Sequence, residues 1–274
     1  MCGRDVFCVT AGDPGDEPLV LLHGYPTSSW DFQKVLGRLA EEFFVVAHDH
    51  LGFGLSDKPE NYSYSLMEQT DVALMLWRKL GIERAHVLAH DYGTSIATEL
   101  LARRERGLLD LEIESLRLCN GSIHVELADM SLLQRALAVP RLGDVVARFA
   151  SETTFVRQLR RIGGSRGEIS REELSLMWEL LTHNDGRARI PQIARYQDER
   201  RRFWHRWIGA LERLDLPTHV VWGREDAVAV EAIARQLAAE IPGAELTWLE
   251  GLGHYPMVER PDEWAGAVTG FWEG

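Results

Sequence analysis

Cysteine is scarce in this chain: Cys2, Cys8 and Cys119 are all there are, without paired spacing or a zinc-ligand pattern. A disulfide framework is thereby excluded, and three reduced thiols are expected. Long apolar runs are also missing. No stretch approaches the ~18 consecutive apolar residues of a membrane-spanning helix, and the first ten residues offer only a short apolar run beside Arg4 and Asp5, too little for a signal-peptide core. A cytoplasmic protein without stable membrane insertion is expected. Positive charge is in deficit, with 30 basic residues, nearly all arginine, against 42 acidic ones and a formal charge of -12. That balance argues against nucleic acid or an anionic membrane as partner. Cofactor signatures are absent as well. His48, Asp49 and His50 alternate faces at a strand end and so cannot converge on a metal, and Gly52 and Gly54 lack the third glycine and downstream acid of a dinucleotide loop. No cofactor and no metal are expected.

What remains is an ordinary globular composition, 45% apolar and 26% charged, over a length that holds one large core with an insertion. Val6–Thr10 reads as a strand. Leu19–Leu22 is apolar without alternation, the pattern of a parallel sheet covered on both faces, Phe43–Ala47 reads as the next buried strand, and Ala85–Ala89, Leu116–Cys119, Thr218–Trp222 and Glu245–Leu249 read as further strands. Helical spacing fills most intervals, as at Trp30–Ala40 and Ser65–Leu80. Between 122 and 206 the alternation stops, and helices are predicted at Leu127–Val139, Val145–Leu159, Arg171–Thr182 and Ile190–Trp207. An all-helical segment leaving the sheet at a strand's carboxyl end and returning to it is most simply a cap. The expected organisation is a core of 1–121 and 207–274 with a cap of 122–206.

The chemistry gathers on four loops at strand carboxyl ends. Val87-Leu88-Ala89-His90-Asp91-Tyr92-Gly93 has the small flanking residues of a strand-turn-helix elbow, with Asp91 at the tip. The first helical N–H groups favour its ionised form, and such a carboxylate can act as a nucleophile; alternatively Asp91 merely caps the helix. His23-Gly24-Tyr25-Pro26 lies where an open sheet places a binding crevice, and Pro26 would aim the Tyr25 N–H. Asp226, in Gly223-Arg224-Glu225-Asp226, and His254, in Gly251-Leu252-Gly253-His254, follow in the order nucleophile, acid, base. His254 would activate water while Asp226 orients its ring; Glu225 is the alternative orienter.

These segments, with Gly52-Phe53-Gly54-Leu55-Ser56-Asp57-Lys58-Pro59, resemble the α/β-hydrolases of the aspartate-nucleophile branch, which contains epoxide hydrolases and haloalkane dehalogenases. The mesoderm-specific transcript family is also similar, in Pro26-Thr27-Ser28-Ser29, His90-Asp91-Tyr92-Gly93 and Asn184-Asp185-Gly186. The likeness runs from Leu19 onward, and the amino-terminal strands look abbreviated. It implies an α/β-hydrolase fold, a mostly parallel central sheet flanked by helices, with the cap inserted after a core strand. Dehalogenases of the branch hold halide with side-chain N–H groups, but here Tyr92 and Tyr25 occupy two of those places, leaving only a cap tryptophan. Epoxide hydrolases use two cap tyrosines as acids, and this cap has one, Tyr196.

The resemblance thus implies an epoxide hydrolase acting on a small apolar electrophile and water. Asp91 would form the ester, Tyr196 would protonate the departing oxygen, and the N–H groups of Tyr25 and Tyr92 would hold the oxyanion. His23, Pro26, Trp178, His183 and Trp204 are expected around the pocket, with His183 or His205 assisting if a second acid is needed. A haloalkane dehalogenase, or an idle interaction protein on the same fold, is the alternative. Whether the chain is a monomer or a homodimer is left open by these patterns.

Overall fold

Seven short strands pair into one sheet in the computed structural model, which describes residues 3–271. The strands are β1 (Cys8–Ala11), β2 (Pro18–Leu22), β3 (Phe44–His48), β4 (Arg84–His90), β5 (Glu112–Cys119), β6 (Thr218–Gly223) and β7 (Glu245–Leu249). Their order is β1-β3-β2-β4-β5-β6-β7, with β1 antiparallel to β3 and every other pairing parallel. A strand covered on both faces needs apolar residues at successive positions, which is why β2 reads Leu19-Val20-Leu21-Leu22, all fully buried. Val20 and Leu22 face one core and Leu19 and Leu21 the other.

The core helices are α1 (Leu36–Leu39), α2 (Leu66–Lys79) and α3 (Tyr92–Glu105). Ser65 caps α2, its side chain accepting from the Glu68 N–H, and the chain leaves α2 through Gly81 at φ 77°. Trp30–Ala40 does not form the expected continuous helix: a 3-10 turn at Ser29–Phe32 precedes the four-residue α1. Among the described residues one strand, β1, precedes β2, at Cys8–Ala11 and two residues later than the sequence pattern placed it.

Seven helices lie between β5 and β6: α4 (Leu132–Ala138), α5 (Leu142–Arg148), α6 (Glu152–Ile162), α7 (Arg171–Thr182), α8 (Gly186–Ile193), α9 (Tyr196–Arg202) and α10 (Trp204–Glu212). The predicted helix over Val145–Leu159 is divided because Ser151 starts α6 as its cap, accepting from the Thr154 N–H. The predicted helix over Ile190–Trp207 is three helices, so α10 straddles the expected boundary at 206. It packs on α3, where the indole N–H of Trp207 and the guanidinium of Arg206 both donate to the buried Glu99 carboxylate, at 2.8 Å and 2.7 to 2.8 Å. The chain ends with α11 (Glu231–Glu240), α12 (Pro256–Glu259) and α13 (Pro261–Thr269) flanking β6 and β7. No helix among the described residues is long and apolar enough to cross a membrane.

Candidate active site

The β4–α3 junction forces Asp91 into φ 46°, ψ -107°, a conformation that non-glycine residues rarely hold. Three glycines leave room for it. A Cβ on Gly121 would stand 2.3 Å from the Asp91 Cα, one on Gly24 would stand 2.8 Å from the Asp91 Cβ, and one on Gly93 would meet the Leu22 carbonyl at 2.3 Å. The tight turn lifts the Asp91 side chain, 8% exposed, into a cavity of about 410 Å³ between sheet and cap.

The Tyr25 N–H donates to Asp91 Oδ1 at 2.7 Å, while Oδ2 faces His254, whose Nε2 is 3.7 Å away. On the far side of that ring, His254 Nδ1 lies 2.6 Å from Asp226 Oδ2. Asp226 is also held by the Asn120 amide at 2.8 Å and by the backbone N–H groups of Val228 and Ala229 at 2.8 and 3.0 Å. Burial alone would raise the Asp226 carboxyl, but the His254 charge and these donors hold it below its ordinary value. Burial likewise opposes the His254 charge, yet the Asp226 charge, its hydrogen bond and the Asp91 charge prevail and raise the imidazole to about 9. Glu225, the alternative orienter, turns away and accepts from the Ser165 N–H at 2.6 Å and hydroxyl at 2.9 Å.

Tyr196, at the start of α9, lines the same cavity as Asp91 and His254. Its ring lies 5.0 Å from that of Tyr92 and 5.7 Å from that of Tyr25, and burial with the nearby Asp91 charge keeps the phenol protonated. The hydroxyls of Tyr25 and Tyr92 are buried without a hydrogen-bond partner among the described residues. Pro26 and Trp178 also line the cavity.

Three expected pocket residues are elsewhere, as is the alternative His205. His23 is sealed below the loop, with Nδ1 2.9 Å from the Gly24 carbonyl and Nε2 accepting from the His50 N–H at 3.0 Å, so it braces the backbone instead of facing substrate. His183 sits in an exposed 3-10 turn after α7, because the chain reverses there through Asn184 and Asp185 at positive φ. Trp204, 37% exposed, stacks edge-on with the exposed His205 on the outer side of α10.

Three residues that touch the candidate site carry no signal that sequence reasoning used. Asn120 at the end of β5 was visible only as part of a turn-forming Asn-Gly pair. Arg200 was hidden in the charged run Asp198-Glu199-Arg200-Arg201-Arg202, which reads as a solvated face. It is instead buried: Nε donates to Ser95 Oγ at 2.8 Å, Nη2 donates to the Asp91 carbonyl at 3.2 Å, and the guanidinium lies 4.6 Å over the Tyr196 ring. Glu259 carries no motif that marks it in the sequence; its buried carboxylate accepts from the N–H groups of Gly253 at 2.9 Å, Gly164 at 3.0 Å and Tyr255 at 3.2 Å. It joins the cap segment after α6 to the His254 loop. The same seam is closed by the His254 N–H donating to the Ile162 carbonyl at 2.9 Å and the Arg166 N–H donating to the Gly251 carbonyl at 2.8 Å.

Sheet order and the strand-turn-helix elbow are those of the α/β-hydrolase fold. Residues 17–261 match the alpha/beta hydrolase fold family, and the chain belongs to it. The putative hydrolase LipZ of Mycobacterium tuberculosis is 43% identical over 257 residues, 93% of this chain and 88% of that protein. The human mesoderm-specific transcript homolog protein is 37% identical over 262 residues, 93% of this chain and 78% of that one. Among solved structures, the haloalkane dehalogenase DbeA from Bradyrhizobium elkani shares the fold with a TM-score of 0.80 at 22% identity, covering 99% of this chain and 96% of that one. The enol-lactonase from Burkholderia xenovorans does so with a TM-score of 0.78 at 22% identity, covering 99% and 98%.

Proposed function

We propose that this hydrolase opens epoxides to vicinal diols through a covalent ester on Asp91. The observation that carries the reading is a phenol facing the nucleophile's cavity: Tyr196 is in the cap, beside Tyr25, whose own hydroxyl has no partner among the described residues. An alkoxide leaves poorly at neutral pH, so ring opening needs an acid above the ring. Asp91 Oδ2 attacks a ring carbon, the carbon–oxygen bond breaks, and Tyr196 gives its proton to the departing oxygen. Oδ1 stays on the Tyr25 N–H. In the second step His254 takes a proton from water, the hydroxide adds to the Asp91 carbonyl carbon, and the tetrahedral oxyanion is held by the N–H groups of Tyr25 and Tyr92. Collapse frees the diol, its oxygen taking the proton from His254; the Tyr196 phenolate recovers a proton from solvent.

The electrostatics support this division of labour. In the resting site His254 is an imidazolium, since its acidity is suppressed by both Asp226 and Asp91. It therefore favours an ionised nucleophile. Esterification cancels the Asp91 charge and one cause of the rise, so His254 gives up its extra proton to solvent more readily and is the neutral imidazole when water must be activated.

A second reading, halide displacement, is favoured by one feature, the Trp178 indole in the cavity wall, but Trp204 lies outside and no indole follows the nucleophile. The test is His254→Gln incubated with a styrene-type epoxide and, separately, with short bromoalkanes. Mass spectrometry is expected to find the glycol adduct on the Asp91 peptide. In the parent protein, single turnover in oxygen-18 water should place the label in Asp91 and leave the diol unlabelled. Halide release without diol would replace this reading by the second, and neither reaction across a broad panel would favour an interaction protein.

A further inference from the structure

We infer that Arg200, a cap residue, is a positioning residue for the oxyanion hole: by donating to the Asp91 carbonyl it sets the peptide whose other end is the Tyr92 N–H. The inference deepens the ester mechanism above, and rests on it for its kinetic consequence. A trans peptide is planar, and its carbonyl and the following N–H point in opposite directions. Whatever holds the Asp91 carbonyl therefore aims the Tyr92 N–H. That N–H opens α3 and has no intrahelical acceptor, which leaves it available to an oxyanion.

Three donors converge on this carbonyl: the Thr94 N–H at 3.2 Å, the Thr94 hydroxyl at 2.6 Å and Arg200 Nη2 at 3.2 Å. The two Thr94 donors belong to the elbow itself. Arg200 alone among these donors comes from the cap, and it is the charged one, so it polarises the peptide and strengthens the N–H at the other end. Its own place is fixed on two further sides, by Ser95 Oγ on α3 and by the face of the Tyr196 ring. Among the described residues no carboxylate pairs with it within 4.0 Å, although Glu199 and Asp198 precede it in sequence. A buried guanidinium is costly to desolvate, and a purely structural tie across this interface would be met at lower cost by an apolar contact. Aimed at the nucleophile's peptide, the charge instead links the proton donor Tyr196, the cap and the oxyanion hole through one side chain. The water-dependent step needs the hole more than ring opening does, because only in hydrolysis does the ester carbonyl oxygen of the Asp91 side chain become a tetrahedral oxyanion.

Asp91-Tyr92 is the sole Asp-Tyr dipeptide in the sequence. Labelling aspartate at the carbonyl carbon and tyrosine at nitrogen therefore yields one carbonyl-to-amide correlation in a nuclear magnetic resonance spectrum, and it reports this peptide without any substrate. That peak is expected to shift in Arg200→Met, to lie between parent and Met variant in Arg200→Lys, and to stay in place in Arg201→Gln, which alters an exposed neighbour. With substrate, Arg200→Met should accumulate the Asp91 ester and lose ~10- to 100-fold in kcat, with KM falling alongside so that kcat/KM changes by only a few-fold. An unmoved peak, or kcat and kcat/KM falling equally without ester, would overturn the assignment. If His254→Gln forms no ester, the ester mechanism fails on its own, while the substrate-free peak still decides whether Arg200 sets this peptide.

Discussion

A single phenol separates the two chemistries open to this site. Tyr196→Phe removes the proton donor while retaining the ring that packs on Tyr92 and Arg200. Ester formation from an epoxide is expected to slow by roughly 10²- to 10⁴-fold, whereas ester formation from a bromoalkane, whose halide leaves without a proton, should hold. Rapid-quench mass spectrometry of the two half-reactions measures both; equal losses would remove Tyr196 from the acid role. His254 carries a prediction of pH dependence. Raised to about 9 in the resting site by Asp226 and Asp91, it should titrate lower once Asp91 is esterified. Hydrolysis of the preformed ester should therefore climb with pH through a midpoint below 9, reaching a plateau where the imidazole is neutral. A midpoint at or above the resting value would contradict the loss of the Asp91 charge as its cause.

The elbow between β4 and α3 is the element on which the site depends, and its tolerance for a side chain can be measured. Gly121→Ala drives a Cβ to 2.3 Å from the Asp91 Cα, so strand or elbow must shift; a loss of ~2 to 4 kcal/mol in urea unfolding and most of the activity is expected. Gly37→Ala, in α1 with nothing within 4 Å of the added Cβ, should be neutral or gain up to ~1 kcal/mol and keep full activity. Such elements were readable to very different degrees. Buried parallel strands announce themselves, because Leu19–Leu22 can be apolar at every position only with cover on both faces. Asp91, Asp226 and His254 were readable as candidates because each lies in a loop at the carboxyl end of a strand that the pattern placed. Periodicity could not show where α8, α9 and α10 break, since Ile190–Trp207 keeps helical spacing across both bends. Nor could it show that Arg200 turns inward while Arg201, its neighbour, stays in solvent. Sequence spacing fixes a helix's faces, but the packed neighbour decides which face is inside. Trp204 was misplaced for the same reason, and His183 because the reversal through Asn184 and Asp185 at positive φ has no periodic signature.

Across the whole molecule, the shifts of the buried histidines are expected to give stability a pH optimum. Burial pushes His23 and His50 down, His48 to about 3 and His90 and His219 to about 4, all from an ordinary value of 6.5. The unfolded chain takes up protons on these groups first, so their contribution is complete above about 6.5 and is lost as pH falls through their folded values. His254 acts in the opposite sense: raised to about 9, it stabilises fully below about 6.5 and loses that contribution as pH rises through 9. Urea midpoints from pH 4 to 10 should form a dome peaking near neutrality. His254→Gln should flatten its alkaline side and His90→Gln its acid side, and a monotonic curve for the parent protein would refute both assignments. The seam at Glu259 has a mechanical consequence at this scale. Because Ile162, Gly164 and Arg166 fasten one margin of the cap to the loop bearing His254, the cap is hung like a door on the post that carries its own lock. It cannot lift away on that side without displacing His254. A molecule passing instead by the cavity wall of α4 and α5, which supplies Leu133, Leu137, Val145 and Val146, would leave that fastening closed.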